Sequence, residues 1–193
     1  MEPSRLDRLW AKAAVPTPVN PSAKSLINLT EDLYIQHLLP GKSFRRLAIK
    51  LEWNMTKLMS WDELSNRFSL NVDGRGLSEA ISLKNLCGNV LIDVTQMSLF
   101  DPVLFKLDPG MTKDMQFFTD ELWKLLYPAP GISSTKVATL RARYTNTFLK
   151  YMKLPHNARK EEASLITTLV DQYKELDISE HDSAAMLVMV YWA

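Results

Sequence analysis

The sequence predicts an all-α fold, and three observations carry that prediction. Apolar residues recur at every third or fourth position in successive segments between residues 43 and 173. Proline and glycine punctuate those segments, as Pro40-Gly41 and again as "PAPG" at 128–131. No run alternates apolar and polar residues well enough to read as a strand, and no internal repeat is visible. A chain of 193 residues, 46% hydrophobic and 23% charged, has ordinary globular composition and is long enough for one domain with a sizeable core.

Residues 1–25 read as a flexible or extended arm, because Pro16, Pro18 and Pro21 break any helix and no apolar signal-type core is present. The domain is expected over 26–193. Thr30 is positioned to cap "EDLYIQHLL", which Pro40 and Gly41 terminate. The next segment, 43–59, sets Phe44, Leu47, Ala48, Leu51, Met55, Leu58 and Met59 on one helical stripe, with Arg45, Arg46, Lys50 and Lys57 off it. Periodicity lapses over 60–80, where "NVDGRG" reads as a turn. Gly74 and Gly76 do not make a dinucleotide fingerprint, since Glu79 stands where a third glycine is needed.

Over 81–99 the helical positions are Leu83, Leu86, Cys87, Val90, Leu91, Val94 and Met97, with Ser82 as cap; this puts Cys87 on the buried face as a small apolar filler. "FDPVLFKLDPG" reads as a turn-rich connector. Then Met111, Met115, Phe118, Leu122, Leu125 and Leu126 form one stripe. After "PAPG", Ser133 or Ser134 caps a helix lined by Val137, Leu140, Tyr144, Phe148 and Tyr151, so an antiparallel helical pair is implied. A further helix carries Leu165, Ile166, Leu169, Val170 and Tyr173. Ser179 and Asp182 have capping-box spacing ahead of a last helix that is apolar on every side from Ala184, the pattern of a core element. That helix has no stop signal before Ala193, which reads as an incomplete unit.

A net charge of +1 supplies no global field for nucleic acid, and none is expected as a partner. The longest uninterrupted apolar run, Ala184 to Ala193, is far short of the roughly 20 residues that span a bilayer, so no transmembrane segment is expected. A single cysteine suits a reducing, intracellular compartment. His37, His156 and His181 have no metal-ligand spacing, and no nucleophile-elbow, Walker or kinase pattern occurs. Met115, Phe117, Phe118 and Trp123 read as packing.

From about residue 81 the phrases "SLKNLCGNVLIDVTQMSLFDPVLFKLDPG", "FFTDELWKLLYPAPG", "ARYTNTFLKYM" and "DSAAMLVMVYWA" fall in an order that resembles the middle of a cytochrome P-450. The likeness is to fungal members of the branch holding sterol hydroxylases and prostacyclin synthase. It implies a partial domain running from about helix D, at 43–59, through helices E to H and the first half of I, with "YPAP" as the tip between F and G. The family's cofactor is haem b on a cysteine thiolate in Phe-x-x-Gly-x-x-x-Cys-x-Gly. Around Cys87 those positions hold Ala80, Leu83 and Asn89, so Cys87 is not that ligand and no haem is expected on this chain alone. The family's Glu-x-x-Arg pair occurs only as Glu2 to Arg5, in the arm.

The resemblance further implies an apolar small-molecule substrate, a reductase as partner and, for a complete member, the endoplasmic reticulum membrane. It offers Leu125, Leu126, Tyr127, Val188, Met189 and Trp192 as substrate-facing, each of which packing explains equally well. It also implies that the chain stops ahead of the polar half of helix I. The other reading is a non-enzymatic helical interaction module that uses Trp, Met and Tyr surfaces.

Overall fold

The spacing of Leu165, Ile166, Leu169, Val170 and Tyr173 demands a helix with one buried stripe, and in the computed structural model all five are the buried residues of Ser164–Glu175. The structure describes residues 16, 20–71, 79–81, 83, 86–127 and 133–192, with the side chains of 65–71, 79–81, 126 and 192 outside that description. The fold is all-α. In chain order the helices are α1 (Leu26–Leu38), α2 (Lys42–Leu58), α3 (Trp61–Phe68), α4 (Leu91–Leu99), α5 (Val103–Leu107), α6 (Met111–Glu121), α7 (Trp123–Leu126), α8 (Thr135–Met152), α9 (Ser164–Glu175) and α10 (Glu180–Trp192).

Helices α8 and α10 form the most extensive helix pair among the described residues, and their interface is the centre of the main core. Phe100, Phe148, Tyr151 and Tyr191 meet there with ring centroids 5.2 to 6.3 Å apart, mostly tilted or edge-on, the arrangement ring quadrupoles favour. Helices α6 and α8 run antiparallel, as the paired stripes imply. Near one end Arg143 of α8 bonds Asp108 and Asp114, each at 2.8 Å; near the other, Lys136 lies 3.8 Å above the Phe117 ring. A smaller core of Leu58, Leu64, Val90 and Val94 joins α2, α3 and α4.

Several expectations need correction. Thr30 is not a cap: α1 starts four residues earlier, and the Thr30 hydroxyl donates to the Leu26 carbonyl inside the helix. The stretch read as aperiodic contains α3 and a short antiparallel pair, β1 (Ser69–Asn71) with β2 (Glu79–Ile81), in register Ser69 to Ile81; "VDGRG" lies outside the described residues. The connector after Leu99 contains α5, and its Phe100 and Leu104 are fully buried. Phe44 and Met59, placed on the α2 stripe, are exposed, and Asn54 is buried instead, donating to the Ser98 hydroxyl at 2.9 Å.

Cys87 is exposed. The cause is a π-helical turn over Leu86–Val90, whose extra residue per turn rotates Cys87 off the face that carries Val90 and Val94. Residues 20–25, within the stretch read as an arm, form a turn. The Asn20 side chain bonds both the Lys24 N–H and the Lys24 carbonyl, and Ala23 takes a φ of 49°. The Ser179 hydroxyl accepts from the Asp182 N–H at 3.1 Å and donates to its carboxylate at 2.6 Å, so the last helix opens where the capping spacing says.

Candidate functional site

A serine at the start of a helix and a histidine in the last turn of another, 127 residues apart, have no relation legible in sequence. The fold puts them together: His37 of α1 and Ser164 of α9 share a hydrogen bond at 3.0 Å. They stand on the wall of a cavity of about 430 Å³ enclosed by α1, the first half of α2 and the turn that enters α9. Arg46 and Lys50 reach the cavity from α2, one helical turn apart, and Lys160 and Glu161 rim it.

Backbone bonds set this geometry. The Ala163 N–H donates to the Leu99 carbonyl at 2.9 Å and pins the start of α9 to the end of α4. The Glu161 N–H donates to Asp101, and the Lys50 ammonium donates to the Glu161 carbonyl. Beneath the wall, the Glu162 carboxylate takes hydrogen bonds from the Tyr151 hydroxyl, from Arg159 and from Thr167. The Arg159–Glu162 pair is fully buried. With every lone pair of that carboxylate occupied, the charge is tolerable inside the protein.

Burial pushes the His37 acid constant below its ordinary value, so the ring is neutral at pH 7. Burial also lowers Lys50, against the opposing pull of Glu161, Asp101 and Glu162. Ser164 and His37 have the contact of a nucleophile and its base, but a base in that role is oriented by a third group, and the far ring nitrogen of His37 has no hydrogen-bond partner. The contact therefore reads as a clasp between α1 and α9. Among the described residues no His, Cys, Asp or Glu group could hold a metal, and no helix is long and apolar enough to cross a membrane.

The residues offered as substrate-facing are not gathered on one surface. Leu125 lines a second cavity, also about 430 Å³, together with Arg141, His181 and Ala185. Val188 is 1% exposed, inside the core, while Tyr127 and Met189 are 72% and 45% exposed. The side chains of Leu126 and Trp192 lie outside the described residues. What the sequence did not reveal is the α2–α9 cavity. Its one local signal was the pair Arg46 and Lys50, which the spacing placed off the apolar stripe of α2.

No protein-family model, curated protein or solved structure matches this chain.

Proposed function

We propose that the chain is the central, wall-forming part of a haem-thiolate monooxygenase of the cytochrome P-450 kind, contributing substrate-pocket walls and no iron ligand. One observation supports this reading above the others. The segment that resembles the first half of helix I is α10, the buried element onto which α8, the segment resembling helix G, packs most extensively. The hairpin of α6, α7 and α8 then stands over α10 with Leu125 at its edge, the position a pocket wall would need. A complete member would bring haem b, an apolar substrate and a reductase. This chain's residues would supply shape and exclude water.

The experiment is to read the full transcript. A frame that runs on from Ala193 into a polar half-helix and later a Phe-x-x-Gly-x-x-x-Cys-x-Gly loop is the expected result. An intact transcript with a stop at that point overturns the proposal.

A second reading, a helical interaction module, is favoured by the outward face of α2. Ile49 and Trp53 are 62% and 63% exposed, Trp61 follows at 59%, and the Lys57 ammonium lies 5.5 Å over the Trp53 ring. Exposed apolar side chains grouped this way are a common mark of contact surfaces. The stop codon that overturns the first reading is the outcome this one expects.

A further inference from the structure

We infer that the cavity between α2 and the start of α9 is a binding site for a phosphomonoester, with Arg46 and Lys50 as its principal contacts. The inference is independent of the haem-thiolate reading.

The charge on the walls comes first. Arg46, Lys50 and Lys160 face the space, and Glu162, the more buried of the two wall carboxylates, is already neutralised by Arg159. Glu161 lines the space and Asp101 acts on Lys50 from behind it, so of the three cations one is left unmatched. A phosphomonoester near pH 7 carries about −1.5 to −2. Lys50 adds a second argument. Its ammonium is half withdrawn from water, and the carboxylates around it do not make up for that loss. A dianion in the cavity would.

The donors come next. Arg46 and Lys50 stand one turn apart on the same side of α2, so both heads converge on one volume. The opposite wall is the first turn of the twelve-residue helix α9, whose dipole presents its positive end there. On that wall His37, 6% exposed, holds the Ser164 side chain at 3.0 Å through Nδ1, and its Nε2 is closed off from solvent. The Ser43 hydroxyl adds to this lining, while those of Ser164, Thr167 and Thr168 are engaged by His37, Glu162 and the Ser164 carbonyl. A volume of about 430 Å³ falls in the range of small-ligand pockets, roughly 300–1,000 Å³. Leu47, Ala163 and Leu165 line the space beside these polar groups, so the body attached to the phosphate is either a sugar or a lipid, and the shared chemistry is the phosphomonoester.

The test is calorimetric titration of the chain with glucose 6-phosphate, with glucose, and with phosphatidylcholine vesicles containing phosphatidic acid, which carries the same phosphomonoester on a lipid. Three variants are measured beside the parent: Arg46→Ala, Lys50→Met and, as a cation in the other cavity, Arg141→Ala. Arg46 and Arg141 are both exposed, so neither change threatens the fold, and circular dichroism checks all three. The expected result is saturable binding of glucose 6-phosphate and none of glucose. Arg46→Ala and Lys50→Met each weaken binding at least tenfold, Arg141→Ala leaves it unchanged, and added salt weakens it throughout. Vesicle binding that depends on Arg46 and Lys50, without binding of the sugar phosphate, keeps the site and makes its phosphomonoester a lipid headgroup. Absence of saturable binding, or equal loss in all three variants, overturns the site.

Discussion

Two tyrosines of the same core offer a matched pair of deletions. Burial holds the acid constants of Tyr151 and Tyr191 above the ordinary phenol value, and both rings pack against Phe100 and Phe148. They differ in what the hydroxyl touches. In Tyr151 it donates to the Glu162 carboxylate at 2.5 Å and accepts the Asp101 N–H at 3.2 Å. In Tyr191 it is buried with no partner. Replacing either by Phe keeps the ring and removes one oxygen, so the packing term stays nearly constant. For Tyr151→Phe the lost charge-assisted bond is worth about 1.5–3 kcal/mol, and the Asp101 N–H loses its acceptor as well. Glu162 keeps Arg159 and Thr167, which limits the damage, and the expected net cost is about 2–3 kcal/mol. For Tyr191→Phe an unsatisfied hydroxyl disappears, so stability holds or rises by up to about 1 kcal/mol. With a urea slope of about 1–3 kcal/mol/M, the two midpoints separate by about 1–2 M. Equal losses in the two variants, or a larger loss for Tyr191→Phe, would refute the claim that partners rather than burial set the worth of these hydroxyls.

Leu187 is fully buried in α10, and Leu187→Ala should cost about 2–5 kcal/mol by urea unfolding, where a surface position would lose under about 0.5. The His37 acid constant lies below its ordinary 6.5 in the folded chain, so the unfolded chain binds more protons once pH drops under that value. Stability should therefore fall from pH 6.5 downward and level off below the folded value, and His37→Gln should lose that part of the decline. Cys87 should react with a thiol reagent in the native chain about as fast as in denatured chain, and Cys87→Ser should change stability by less than about 0.5 kcal/mol; protection of the thiol would put it back on the buried face.

The helices that were legible in sequence are those that bury one regular stripe. On α8 and α9 every residue named from spacing is buried, because neighbours three and four apart must share a face and only one face meets the core. Sequence reasoning failed where the geometry departs from that period. One π turn was enough to move Cys87 to the surface, and α3 escaped because its eight residues offer barely two turns of pattern. Phe100 and Leu104, on either side of Pro102, looked like a loop, yet both are fully buried in the main core beneath α10. The α2–α9 cavity was illegible for a different reason. It is assembled from Arg46, His37 and Ser164, whose only connection is tertiary, and pattern within a segment carries no record of such a meeting.

The most direct test of the claim that this chain supplies walls and no iron ligand is titration of the purified chain with haem, followed in the Soret region, with Cys87→Ala alongside. The account predicts no thiolate-type Soret band for either protein, since the residues around Cys87 lack the Phe and both Gly of the ligand loop. A stoichiometric thiolate spectrum that disappears in Cys87→Ala would contradict it, and would make Cys87 the iron ligand.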